Sequence, residues 1–392
     1  MPSFNRRNFL RTSSLGLLPA VIPFSSTMAS GAGAGTSMPP GSPVIKFFGD
    51  GEMFEPGDYL AELQKAHAVT NIVRDRYGAG GVVEALEKKF VEITGKEKAI
   101  LMPSGTLANQ LAIAVLSGEN TKVFVQDTSH VYRDEADAAQ SVFNKRLMPL
   151  ARDQAYFTAQ QLQAAVENLN NEEVFKSGVG AVSIENPVRR ADGKFVPLDE
   201  IQKISTYCRS NNIKMHLDGA RIYMASAWSG VSIKEYAGYF DTVYISLYKY
   251  LGAAAGAVLC GPAAVIDKMA HLVKIHGGSM YSNWANAAMA LYKLDGFEAR
   301  LQSAVKAAYE IFAALNKLPG VQIKPLPGGT NIYSIELAPS IDGKKMQATL
   351  NKEFNIRMPR PDDKNRSQLS VNETLLYQPA DYIINAFTKS IY

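Results

Sequence analysis

Val243-Tyr-Ile-Ser-Leu-Tyr-Lys-Tyr-Leu-Gly-Ala-Ala-Ala-Gly-Ala-Val-Leu-Cys260 decides how this chain is read. Its first half is an apolar run rich in β-branched and aromatic residues, the pattern of a buried strand. One lysine, Lys249, ends that run, and Gly252 and Gly256 follow with small residues between them. A charged amine is costly to bury. Lys249 is therefore paired, placed where the strand meets solvent, or chemically used. Burial lowers a lysine's pKa, and the neutral amine can condense with a carbonyl to form a Schiff base.

Upstream, a second apolar strand over Ile213 to Leu217 runs into His216-Leu-Asp-Gly-Ala-Arg221. Asp218 then stands at a strand's carboxyl end, where α/β sheets place their ligands. A lysine that forms an imine and an aspartate that faces a pyridinium nitrogen are the two protein partners pyridoxal 5'-phosphate (PLP) requires. Further upstream, a strand over Ala99 to Met102 precedes Pro103-Ser-Gly-Thr-Leu-Ala-Asn109 and a helical pattern over Leu111 to Leu116. Strand, small polar turn and helix start make a phosphate site. Ser104 and Thr106 offer hydroxyls, Gly105 allows close approach, and the helix N-terminus supplies free N–H groups and a positive dipole. An ordinary capped turn has the same local pattern, so this segment gains meaning from Lys249 and Asp218. Val123 to Gln126 leads into Asp127-Thr-Ser-His130, placing His130 at a strand end, where it can stack on a flat ring or cap a turn. A helix is expected over Asp134 to Gln140.

The remaining pattern alternates strand and helix up to about Cys260, which implies a mainly parallel sheet covered on both faces, with Ala257 to Cys260 as a possible antiparallel return. Tyr77-Gly-Ala-Gly-Gly81 reads as a flexible loop. Helices follow to about Leu315, and after Pro319-Gly320 strands and helices of a smaller unit begin. The expected organisation is a leader over 1–29, a linker over 30–43, a large domain over 44–318 and a small α+β domain over 319–392. In the leader, Asn5-Arg-Arg-Asn-Phe-Leu-Arg-Thr12 precedes a short apolar stretch broken by Pro19 and Pro23. This resembles a twin-arginine export signal, and the stretch is too short and interrupted for stable membrane insertion. The expected location is the periplasm or beyond, with the cytoplasm as the alternative. The formal net charge is only +4, and Arg6, Arg7 and Arg11 of the leader supply most of it, so nucleic acid is not an expected partner. Two cysteines and no Cys/His spacing point away from a disulfide framework and from a metal site.

Taken together, Pro103-Ser-Gly-Thr106, Glu185-Asn186 with Asp192-Gly193 and Pro197-Leu198, His216-Leu-Asp-Gly-Ala-Arg221 and Ser246-Leu-Tyr-Lys249 resemble the threonine aldolase and β-eliminating lyase family of fold-type I PLP enzymes, from about residue 44 to the C-terminus. The resemblance implies a role for each residue. Lys249 anchors the cofactor and Asp218 holds its ring nitrogen. His130 stacks on the ring and takes part in proton transfer. Ser104, Gly105 and Thr106 bind phosphate, and Arg221 lies near the cofactor hydroxyl and the substrate carboxylate. It also implies an amino acid substrate, cleavage of a β-hydroxy amino acid to glycine and an aldehyde, and a homodimer or homotetramer, with the loop from Tyr77 as a candidate crossing segment. The chain departs from the aldolase pattern on the substrate side. Gly49 stands where the family has a serine, Val188 where it has a histidine facing the β-hydroxyl, and Gln368 near the place of a carboxylate-binding arginine, with Arg366 two residues away. Acids after the early Tyr-Gly are Ala79 and Gly80 here. β-Elimination, racemisation or transamination on the same scaffold, or PLP binding with weak activity, are the alternatives.

Overall fold

The structure is a computed structural model that describes residues 43–391. The leader and nearly all of the linker lie outside the described residues. Twelve strands are numbered here in chain order. β1 is Ile45–Lys46, β2 Lys98–Met102, β3 Lys122–Gln126, β4 Arg146–Leu150, β5 Val179–Glu185, β6 Lys214–Asp218, β7 Thr242–Ser246 and β8 Ala257–Gly261. In the C-terminal part β9 is Val321–Pro325, β10 Ile332–Leu337, β11 Ile356–Arg357 and β12 Arg366–Ser370.

β2-β8-β7-β6-β5-β3-β4 form one seven-stranded sheet. β8 alone is antiparallel to its neighbours, and the other pairs are parallel. This is the expected α/β architecture, with Ala257 to Cys260 as the reversed strand. Strands β3, β7 and β8 are buried along their whole length, as their continuous apolar sequences require when helices cover both faces. Register brings the carboxyl ends together: Glu185 pairs with Asp218, and Asp218 with Tyr244.

The C-terminal strands β12-β10-β9 form a separate antiparallel sheet. Two features cross the expected boundaries. β1 pairs in parallel with β11, and Ile45 and Phe47 are buried with Leu350, Ile356 and Phe387 of the C-terminal unit. The latter half of the helix Phe297–Leu315, including Ala304, Ile311 and Leu315, packs into the same core. Neither two-residue strand can hold itself; the pair is held by the bonds of the Ile45 and Phe47 amides to the carbonyls of Asn355 and Arg357 and by the burial of Ile45, Phe47 and Ile356.

Two local expectations need correction. The helix expected over Asp134 to Gln140 is instead two short helices, His130–Arg133 and Ala138–Phe143, separated by Ala136 and Asp137 at positive φ. Glu135 is drawn inward to bond Asn109 and His130, which no continuous helix there could satisfy. The loop at Tyr77 is pinned rather than free: the buried Asp75 carboxylate accepts from the amides of Gly78 and Asn283 and from the Ser282 hydroxyl. Among the described residues, no helix is long and apolar enough to cross a membrane.

Candidate cofactor and substrate site

Every residue singled out by the sequence follows the carboxyl end of a forward-running strand. Ser104 to Thr106 follow β2, His130 follows β3, Asp218 ends β6, Arg221 comes after it, and Lys249 follows β7. The topology therefore gathers side chains that are far apart in sequence.

Ser104 caps the helix Gly105–Ser117, its oxygen accepting from the Leu107 amide at 3.2 Å. The first-turn amides have no partner within a helix, so those of Gly105 and Thr106 are available to an anion. Gly105 is demanded by packing. A Cβ built there would lie 2.1 Å from the Tyr244 hydroxyl. Ser246 Oγ is buried close to the Tyr244 and Tyr248 phenols, yet no hydrogen bond of normal geometry satisfies it.

Asp218 is buried beneath that helix. Its Oδ2 accepts from Asn109 Nδ2 at 3.0 Å and its Oδ1 from the Ala220 amide at 3.2 Å. Asn109 Nδ2 also donates to Glu135 Oε1 at 2.9 Å. On its other side Asn109 Oδ1 accepts from His216 Nε2 at 2.9 Å, and His216 Nδ1 accepts from Thr242 Oγ1 at 2.8 Å. The chain of bonds fixes the Asn109 amide and assigns His216 as the neutral Nε2–H tautomer. Burial holds the His216 pKa down to about 3, so it stays neutral. Burial and the Glu135 charge push the Asp218 carboxyl up to about 6. A cationic N–H placed against Asp218 opposes that shift, because an opposite charge favours the ionised form.

His130 Nδ1 lies 3.1 Å from Glu135 Oε1. That bond, opposed by burial, raises the His130 pKa above its ordinary value. The His130 amide donates to Glu185 Oε2 at 2.7 Å, while Glu185 Oε1 accepts from the Arg189 amide at 2.9 Å. Glu185 is fully enclosed, and burial followed by the Asp218 charge pushes its carboxyl up to about 7. Lys249 is half-buried, its Nζ 4.7 Å from the Tyr248 ring centre. Burial, then the Arg221 charge, lowers its pKa, which raises the fraction of nucleophilic amine. Tyr250, next in the chain, is fixed in a cluster with Tyr223 and Phe297 and against Gly51, so the Lys249 backbone is held firmly.

Arg221 Nε donates to Asp50 Oδ2 at 2.8 Å. Its two Nη atoms have no hydrogen-bond partner among the described residues, although the side chain is only 14% exposed. A buried guanidinium fork with free donors suits a carboxylate. The other substrate-side positions are less accommodating. Val188 is fully buried and Gln368 reaches Asp192 at 3.4 Å. Arg366 turns toward Asp362 at 3.4 Å.

Sequence reading assigned no role to Asn109, Glu135, Tyr244, Asp50 or Arg189. A signal existed for Asn109: it lies one helical turn from Gly105 amid Leu107, Ala108, Leu111 and Ala112, a polar residue on an apolar face. Nothing local marked Asp50, which meets Arg221 across 171 positions.

The residues fit PLP on chemistry alone: an amine for its carbonyl, a buried carboxylate without a cationic partner for its ring nitrogen, and free amides with an unsatisfied hydroxyl for its phosphate. With the mainly parallel sheet and strand-end site, this defines a fold-type I PLP-dependent enzyme. A family model described as beta-eliminating lyase matches residues 60–337. The chain belongs to that family, and PLP is its cofactor. It is 31% identical to the low-specificity L-threonine aldolase of Candida albicans over 276 residues, 70% of this chain and 72% of that one. It is also 31% identical to the alanine racemase TOXG of Cochliobolus carbonum, over 55% of this chain and 56% of that one. A solved structure from Exiguobacterium sp., provisionally assigned as an aromatic amino acid beta-eliminating lyase/threonine aldolase, superposes with a TM-score of 0.72 at 25% identity, covering 89% of this chain and 97% of that one.

Proposed function

We propose that this protein is a PLP-dependent aldolase that cleaves a β-hydroxy amino acid to glycine and an aldehyde. The observation that carries the reading is the convergence of Lys249, Asp218 and the free fork of Arg221 at the strand ends, with His130 beside them. Bound there, PLP supplies the electron sink for a bond broken at the amino acid's Cα. Lys249 is its covalent anchor. Asp218 keeps a proton on the ring nitrogen, and Asn109 and the Ala220 amide orient the carboxylate for that task. The amides of Gly105 and Thr106, with the hydroxyls of Ser104, Thr106 and Ser246, hold the phosphate. Arg221 receives the substrate carboxylate through its Nη atoms. Glu135 fixes His130 through Nδ1 and so leaves Nε2 to accept the proton of the β-hydroxyl. The test is glycine release by purified PLP-loaded protein from L-threonine, L-allo-threonine and phenylserine. No glycine from any β-hydroxy amino acid refutes the reading. Racemisation is the second reading, supported by the similarity to an alanine racemase and by the apolar Val188. Loss of optical rotation of L-alanine without glycine formation distinguishes it.

The reading extends to assembly and location. Leu60, Val69 and Val73 on and just after the helix Pro56–Thr70 are each at least 60% exposed, beside a groove lined by Leu63, Ile72 and Trp284. This apolar face supports a homodimer or homotetramer, which light scattering on the purified protein tests; a monomer at micromolar concentration removes it. Asn5-Arg-Arg-Asn-Phe-Leu supports export through the twin-arginine route. Arg6→Lys with Arg7→Lys is then expected to retain the protein in the cytoplasm.

A further inference from the structure

The rim of the site carries a cation that the proposed chemistry leaves unused. Arg189 follows the fully buried Val188 and is half-exposed. Its amide and that of His130 bond the two oxygens of the Glu185 carboxylate, at 2.9 and 2.7 Å, so one buried group sets both residues side by side. Its guanidinium extends along the His130 turn, reaching Asp134 Oδ2 at 3.3 Å through Nη1. Asp134 is already held by Arg190, through Nε at 2.9 Å and Nη2 at 2.6 Å. Two arginines thus share one carboxylate, and the closer contacts belong to Arg190. Nε and Nη2 of Arg189 make no hydrogen bond to a described residue. The Arg189 charge also reaches the Lys249 amine, where it disfavours protonation. Apart from the Lys249 amine, the cations at the site with free donors among the described residues are therefore Arg221, deep and fork-like, and Arg189, at the rim beside His130. Gln368 is directed to Asp192 and brings no charge.

We propose that Arg189 binds a second anionic group on the substrate, so that the favoured substrates are β-hydroxy amino diacids. The inference rests on the aldolase reading and names the substrate class of the same site. Arg221 takes the α-carboxylate and Arg189 the distal one, which hangs from the carbon bearing the hydroxyl. For 3-hydroxyaspartate the Cα–Cβ bond breaks and its electron pair stays on Cα, which gains a proton. The hydroxyl loses its proton as the C=O forms. The products are glycine and glyoxylate, with no co-reactant.

The experiment compares kcat/KM for 3-hydroxyaspartate and threonine in the PLP-loaded wild type, Arg189→Gln and Arg189→Lys. Alongside it, the Tm shift given by aspartate is compared with that given by alanine. The wild type is expected to favour the diacid. Arg189→Gln is expected to lower kcat/KM for the diacid about 10- to 100-fold, the value of one charge-assisted hydrogen bond, and to leave threonine within about threefold. Arg189→Lys is expected to recover part of the loss, and the extra Tm shift of aspartate is expected to vanish in Arg189→Gln. An equal loss on both substrates overturns the proposal, because Arg189 would then hold the α-carboxylate. A wild type that favours threonine also overturns it. If no substrate yields glycine, the aldolase reading fails, and the Tm comparison alone decides whether Arg189 binds a distal carboxylate.

Discussion

Gly105→Ala is the sharpest probe of the proposed phosphate site. By helix propensity alone the change is favourable, since alanine exceeds glycine by about 1 kcal/mol in a helix interior. Packing reverses the sign. The new Cβ would stand 2.1 Å from the Tyr244 hydroxyl oxygen and 2.5 Å from the ring carbon bearing it. Tyr244 is fixed in register beside Asp218 on a strand buried along its length, so moving its ring disturbs the packing around it. Either the helix start moves or Tyr244 does. Overpacking of this kind costs about 1–3 kcal/mol, and here it must first cancel the propensity gain. The expected result is a net loss of about 1 kcal/mol in urea unfolding, with the m-value unchanged. A displaced helix start also moves the Gly105 and Thr106 amides, so PLP affinity is expected to fall by at least about tenfold, or about 1.4 kcal/mol. Gly57→Ala is the control, because a Cβ there meets nothing within 4 Å, and it is expected to be neutral or slightly stabilising. Adding Tyr244→Phe removes the nearer contact but leaves the 2.5 Å one, so it restores only part of the loss. Gly105→Ala protein with wild-type stability and wild-type PLP affinity would refute this account of the site.

Three further expectations follow from the buried charges. Lys249→Ala removes the visible absorption of bound PLP and the activity, while the far-UV circular dichroism of the fold persists. Glu185 and Asp218 have carboxyls raised to about 7 and about 6. A raised carboxyl stabilises the fold below its unfolded-state value and loses that contribution as pH rises through its folded value. Cofactor-free protein is therefore expected to lose urea resistance between about pH 4 and 7, and Glu185→Gln flattens that slope at the cost of one of its two backbone contacts. Absence of the slope in the wild type would contradict the burial assigned to these groups. Glu135→Gln removes the hydrogen-bonded charge that is the first cause of the raised His130 pKa. The His130 titration followed by NMR is then expected to move to lower pH, and an unmoved midpoint would rule out the Glu135 contact.

Much of the candidate site was legible because it is written in short local patterns. Lys249 at the end of an apolar strand, Asp218 at the end of another, and Ser104-Gly-Thr106 between strand and helix were each singled out by position along a strand, and the structure places them at the carboxyl end of one sheet. Alternating strands and helices likewise determined the parallel sheet, since such crossovers cover both of its faces. The tertiary structure decided whatever depends on which strand ends become neighbours. The order β7-β6-β5-β3 sets Asp218 beside Glu185 and brings His130 within reach of both, though 88 residues separate His130 from Asp218 in the sequence. Only then do Asn109 and Glu135 acquire their roles, and only then does Glu135 break the helix that local pattern predicts. The pairing of Arg221 with Asp50, and the burial of Val188 that leaves Arg189 facing outward, are also tertiary outcomes. A strand's alternation states which residues face inward, but not which distant charge waits there.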